Sequence, residues 1–159
     1  TSSQNSMDLF RKHGIDYSQI TEQIFIGTNA CCLTHYELSL TQQGITSDIS
    51  LEQEHLDGAQ GAETFLWLPT LDHTPVSQEH LFLGANVLNF LIKQDKKIYV
   101  HCKNGHGRSP MLVAAYFILY QGMTVDEAIN TIRAKRPTIH LDPDQYEALQ
   151  KCSQTKIPQ

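Results

Sequence analysis

The stretch YVHCKNGHGRSP (residues 99–110) separates two apolar runs, one ending at Val100 and the other starting at Met111. KIYVH (97–101) is short and β-branched, as a buried strand is, while PMLVAAYFILYQG (110–122) is apolar nearly all round, as a buried helix is. The residues between them form a strand-to-helix turn that holds Cys102. Such a turn is an anion cradle: loop N–H groups converge on one point, and the positive end of the following helix aims at the same point. Gly105 and Gly107 permit backbone angles and close approaches that side chains forbid. Pro110 gives up an N–H that a first-turn position does not need.

Outward from this turn, strands alternate with helices. IFIG (24–27), ITSDIS (45–50) and TFLWL (64–68) read as strands bounded by turn-formers. HYELSLTQQ (35–43) and SQEHLFLGANVLNFLIKQ (77–94) have apolar residues at helical spacing, with Leu81, Ala85, Leu88, Leu91 and Ile92 on one face of the second. EHLDGAQGAE (54–63) is a loop. Beyond the central apolar helix, TVDEAINTIRAKR (124–136) starts on a Thr124/Glu127 capping box, and DPDQYEALQKC (142–152) starts on Asp142 and Pro143. The alternation predicts an α/β, three-layer domain with a small, mostly parallel central sheet flanked by helices.

The chain has 159 residues, enough for one domain and its core but not for two. That domain is expected over 16–152, between an N-terminal tail or helix (1–15) and a C-terminal tail (153–159). TSSQNS ahead of Met7 reads as a leftover of expression. The formal charge of -5 and pI near 5.8 give the chain as a whole no attraction for nucleic acid or an anionic bilayer, so any anion must be captured locally. No apolar run reaches membrane-spanning length, and no export signal opens the chain, so a cytoplasmic location is expected. The four cysteines form no CxxC pair; neither a zinc site nor a disulfide framework is expected, and Cys31, Cys32 and Cys152 read as idle thiols in a reducing compartment. His101 is expected to orient the turn rather than bind a metal, and no cofactor is implied.

The chemistry of the turn follows from its residue types. Loop N–H groups, the helix end and nearby cations favour a thiolate at Cys102, which makes it a nucleophile. Arg108 offers a planar fork for two oxygens of a phosphate, and Ser109 can donate to the sulfur and ease its departure. Together they suggest attack on a tetrahedral oxyanion, most plausibly a phosphate ester.

The fixed positions of HCKNGHGRS (101–109) resemble HCxxGxxRS, the signature loop of the cysteine-dependent protein tyrosine phosphatases. IFIGTNACC, GITSDIS, IRAKRP and the chain length are similar to the compact dual-specificity branch, over about residues 18–150. The resemblance implies that Cys102 forms a phosphocysteine and that Arg108 binds phosphate and stabilises the transition state. It also implies that Ser109 assists breakdown and that Lys103, Asn104, Gly105, His106 and Gly107 complete the phosphate-binding loop.

The leaving group then needs a proton, and in this family the acid sits on a loop about thirty residues before the nucleophile. Asp72, beyond the C-terminal end of TFLWLP, fits; His73 is the nearest rival, and Asp57 a poor one. A neutral acid beside a thiolate predicts a bell-shaped rate profile on the acid side of neutrality. Gln145 is a candidate for positioning water by analogy with larger relatives, although a plain exposed side chain is the favoured reading.

Lys103 matches the HCKAGKGR loop of tensin-type lipid phosphatases, where a second lysine stands at the place held here by His106. The short chain leaves little room for the loop that makes a deep phosphotyrosine slot, so phosphoserine and phosphothreonine are expected substrates too. The expected partner is a phosphorylated protein or small phosphate ester, met by a monomer, with no nucleic acid and no membrane span. The alternatives are a phosphatase of lipid, inositol or RNA 5′-phosphates, and a non-catalytic phosphate-binding module. No resolving cysteine is visible for a redox role.

Overall fold

The computed structural model describes residues 15–29, 38–56 and 58–155. Five strands form one sheet: β1 (Tyr17–Gln19), β2 (Ile24–Gly27), β3 (Ile45–Glu52), β4 (Thr64–Thr70) and β5 (Lys97–His101), in the order β1-β2-β5-β3-β4. The β2/β5, β5/β3 and β3/β4 pairs are parallel; β1 pairs antiparallel with β2, Tyr17 opposite Gly27. The helices are α1 (Leu38–Gln42), α2 (Gln78–Lys93), α3 (Arg108–Gln121), α4 (Val125–Lys135) and α5 (Pro143–Ser153). The expected α/β architecture with a mostly parallel sheet is therefore observed.

The two-residue alternation of each strand sorts side chains to opposite faces. Ile24 and Ile26 of β2, Ile49 and Leu51 of β3, and Ile98 and Val100 of β5 enter one core with α2, α3, α4 and α5. Phe25 and Tyr99 point the other way, onto Leu40 of α1, and Ile45 joins them because the register of β3 against β5 shifts between Ile45 and Ser47, which breaks the alternation before Ile49. The layers are thus unequal among the described residues, with four helices on one face and a five-residue helix on the other.

Helix α3 is the central element that its all-round apolar sequence requires, buried from Arg108 to Ile118. Its C-terminus is closed by Gly122 in the left-handed conformation (φ 68°). Thr124 caps α4 by accepting from the Glu127 N–H at 3.1 Å. Asp142 stands at the N-cap of α5, and Gln145 Oε1 reaches back to accept from the Asp142 N–H at 2.8 Å.

The sequence reading and the structure differ in extent at several places. β1 was not expected, because Tyr-Ser-Gln has no apolar alternation and becomes a strand only by pairing with β2. β3 runs on to Glu52, past the expected end at Ser50. The expected tail 1–15 (except Ile15), the start of the 35–43 helix, Cys31, Cys32 and residues 156–159 lie outside the described residues.

Leu112 is fully buried in α3 and lies on Gly84 of α2, at a place where no Cβ could fit beside it. Leu112→Ala should lower stability by about 2–5 kcal/mol through lost burial and the cavity left behind. Urea or thermal unfolding checks this.

Candidate active site

Strand β5 ends on His101 and α3 begins at Arg108, so the turn from Cys102 to Gly107 is fixed at both ends by buried elements. Cys102 is 3% exposed. Its Sγ accepts from the Gly105 N–H at 3.3 Å and lies 3.3 Å from Ser109 Oγ. The loop therefore curls around the sulfur and brings to it a backbone N–H and a hydroxyl.

Gly105 has φ 68°, and a Cβ there would stand 2.8 Å from Gly27 O and 2.9 Å from Arg136 Nη2. Gly107 is needed for a different reason: a Cβ would come within 3.2 Å of Gln145 Nε2. One glycine turns the loop and the other lets α5 approach it.

The Arg108 side chain is buried, 1% exposed, and satisfied from two other strand ends. Glu54, just past β3, takes both terminal nitrogens, Nη1 at 2.8 Å and Nη2 at 2.7 Å, and Thr70 O of β4 accepts from Nη1 at 2.7 Å. Burial opposes its charge, but the carboxylate of Glu54, the sulfur of Cys102 and Asp72 together hold its pKa above the ordinary value. The hydrogen bonds from Arg108 in turn hold the Glu54 carboxyl below its ordinary value. Arg108 Nε is buried without a hydrogen-bond partner, so the Nε/Nη2 edge of the fork retains hydrogens to offer an anion.

Asp72 follows β4, with Oδ1 3.5 Å from Arg108 Nη2. Asp72, Cys102, Asn104, Gly107 and Gln145 line one cleft of ≈ 110 Å³, with His73, His106, His140 and Asp142 also on its walls. Lys103 is exposed and outside this lining, although its charge acts on Glu54. His101 is buried, its Nε2 3.0 Å from Asp48 Oδ1 and its ring stacked on Tyr99 with centroids 5.3 Å apart. Asp57 lies outside the described residues. Among the described residues, no three His, Cys, Asp or Glu side chains converge as a metal site.

The expected exposure of Gln145 is wrong: it is 2% exposed. Its Nε2 donates to Thr74 O at 3.3 Å, and its Oε1 is the acceptor for the Asp142 N–H. A polar side chain in the first turn of an amphipathic helix reads as solvent-facing, but here the phosphate-binding loop and the Asp72 loop cover it.

Two further residues of the site were not singled out from sequence. Glu54 falls in a polar stretch with no local mark of its partner 54 positions away. Arg136, at the end of α4, donates from Nε to Gly105 O (2.9 Å) and from Nη2 to Asn104 O (3.0 Å). It also reaches Ser18 Oγ (3.0 Å) and Asp16 Oδ2 (3.2 Å). A buried arginine at a helix end before proline was the available signal, visible in IRAKRP only as part of a resemblance.

The catalytic-domain model of the dual specificity phosphatases matches residues 24–155. The phosphatidylglycerophosphate phosphatase PTPMT2 of Arabidopsis thaliana is 34% identical over 94 residues, covering 58% of this chain and 41% of that protein. Laforin of Mus musculus is 24% identical over 152 residues, covering 80% of this chain and 46% of that protein. The chain spans less than half the length of these curated relatives. Its fold superposes on a mouse putative dual specificity phosphatase solved with zinc tungstate, with TM-score 0.77, 23% identity and coverage of 87% and 86% of the two chains.

Arg136→Ala should unhook the loop carbonyls and weaken catalysis on the order of 100-fold, as a displacement of about 1 Å does. Thermal unfolding beside kcat/KM and the Kd of inorganic vanadate separates this from loss of fold. Burial pushes the Cys152 thiol up to about 11. At neutral pH, iodoacetamide should therefore label Cys102 well before Cys152, which peptide mass spectrometry resolves.

Proposed function

We propose, because the chain belongs to the dual specificity phosphatase family, that it hydrolyses phosphate monoesters of protein tyrosine, serine and threonine through a phosphocysteine intermediate. The observation that carries this reading is the Cys102 sulfur, held by the Gly105 N–H and Ser109, in one turn with a buried arginine whose Nε remains unpartnered.

In the first step the Cys102 thiolate attacks phosphorus in line, the P–O bond to the leaving group breaks, and Asp72 gives its proton to the departing oxygen. Loop N–H groups, the start of α3 and the free edge of Arg108 take up the charge on the equatorial oxygens, and Glu54 keeps that edge aimed. In the second step Asp72, now a carboxylate, takes a proton from water as the water oxygen attacks phosphorus. The S–P bond breaks, Ser109 donates to the departing sulfur, and orthophosphate and the starting thiolate result. His101, held by Asp48, orients the base of the loop, and Gln145 is close enough to help position the water.

The small cleft supports broad specificity, since the organic part of the substrate stays near its mouth rather than in a deep slot. The acting unit on this reading is a monomer over residues 16–152, in a reducing, cytoplasmic compartment that keeps the thiol in use. No helix among the described residues is long and apolar enough to cross a membrane. A second reading, a phosphatase of non-protein esters such as lipid headgroups, is favoured by the name of the Arabidopsis relative. The position of Lys103 outside the cleft lining speaks against it.

A panel of phosphopeptides, inositol phosphates and phosphatidylglycerophosphate, run with Cys102→Ser and Asp72→Ala, tests the proposal. Cys102→Ser should abolish turnover while still binding vanadate or phosphate. Asp72→Ala should lower kcat by roughly 100-fold or more and remove the basic limb of its pH profile. Turnover surviving in Cys102→Ser refutes the covalent route, and a preference for the lipid selects the second reading.

A further inference from the structure

The loop carrying Asp72 is pinned to the start of α5 by contacts that the reaction itself does not require. His73 has φ 59°, a left-handed conformation uncommon for residues other than glycine, though histidine, asparagine and aspartate adopt it more readily than most. In this conformation its N–H donates to Asp72 Oδ1 at 3.0 Å. Its ring lies between two carboxylates, Nδ1 3.2 Å from Asp142 Oδ2 and Nε2 3.9 Å from Asp72 Oδ2. One imidazole thus joins the acid of the loop to the residue that opens α5.

The anchor at the other side of this bridge is firm. Asp142 occupies the N-cap of α5, where the positive end of the helix favours a carboxylate. The same first turn sends Gln145 to Thr74 O on the Asp72 loop and packs it against Gly107 on the phosphate-binding loop. His140 contributes a second imidazole, Nε2 3.5 Å from Asp142 Oδ1, and its N–H donates to His106 O at 2.7 Å. The start of α5 therefore touches both loops that must meet around a substrate.

We propose that His73 and Asp142 are positioning residues for proton transfer: the bridge between them holds the Asp72 loop down on α5 and keeps the carboxyl of Asp72 over the leaving-group side of the cleft. This inference rests on the reading of Asp72 as the proton donor. A residue that only stabilises the fold would slow every substrate alike. A residue that aims the acid slows phosphocysteine formation only for substrates whose leaving group needs the proton.

The test compares phenyl phosphate, whose leaving oxygen is a strong base, with 2,4-dinitrophenyl phosphate, whose phenolate leaves without a proton. Asn tolerates a left-handed backbone, so His73→Asn removes the imidazole and spares the turn. Asp142→Asn removes the charge and keeps a competent N-cap. Each variant, and the Asp72→Ala reference, is compared in kcat/KM, which stops at phosphocysteine formation and so leaves out the later role of Asp72 as base. His73→Asn and Asp142→Asn should each lose about tenfold on phenyl phosphate and less than about twofold on the dinitrophenyl ester. The double variant should lose no more than either single one.

Asp72→Ala is the reference and should lose far more on phenyl phosphate than on the activated ester. If it loses equally on both, the donor assignment falls and the bridge falls with it. If Asp72→Ala discriminates while His73→Asn and Asp142→Asn match the parent or slow both esters equally, the bridge alone is overturned. Multiplying losses in the double variant likewise overturn it.

Discussion

A guanidinium inside the protein is the constraint on which the rest of the site depends. Arg108 sits at the first position of a helix that is otherwise apolar, and its charge is tolerable there only because groups brought from elsewhere meet it. Glu54 comes from the end of β3 and Thr70 O from the end of β4, while Arg108 itself follows β5. The C-terminal ends of three parallel strands are thereby tied together at the edge where an α/β sheet assembles its ligand sites. Pairing with Glu54 also settles which part of the fork is left for a ligand. The carboxylate saturates one side, and the Nε edge remains.

A second arginine acts from outside the loop. Arg136 holds the carbonyls of Asn104 and Gly105, and because the C=O and N–H of one trans peptide point in opposite directions, the N–H groups of Gly105 and His106 are turned away from it, that of Gly105 onto the Cys102 sulfur. The loop therefore lies between two guanidinium groups with different places: Arg108 keeps an unpartnered Nε edge beside it, and Arg136 fixes its backbone. The bonds of Arg136 to Asp16 and Ser18 extend the clamp to β1, which gives that short edge strand a reason to exist beyond its pairing with β2.

What was legible in the sequence is what local pattern encodes. Alternation in KIYVH and IFIG marked the strands, the apolar run after Pro110 marked the central helix, and the spacing of Cys102, Arg108 and Ser109 marked the turn that brings the Cys102 sulfur to Ser109. What was not legible is long-range. Glu54 is an ordinary glutamate until the sheet brings it to Arg108, and Gln145 looks exposed until two loops fold over the first turn of α5. β1 illustrates the same limit, since its three residues carry no strand signal and owe their conformation to the partner. The corrections therefore fall where one group finds another far along the chain.

This division between buried and exposed parts also says where substrate choice resides. The reacting groups are held by contacts inside the protein: Cys102 and Ser109 by the turn, Arg108 by Glu54, His101 by Asp48. Asp72 is the exception, half exposed on a loop that, under the proposed function, both gives a proton and admits the leaving group. Around it stand the exposed rings of His73, His106 and His140 and the carboxylate of Asp142, a polar rim above the buried arginine of the floor. Under the proposed function a substrate would thus meet two surfaces, its phosphate the buried floor and its remainder the exposed rim, and it is the exposed rim that has room to vary without disturbing the buried contacts.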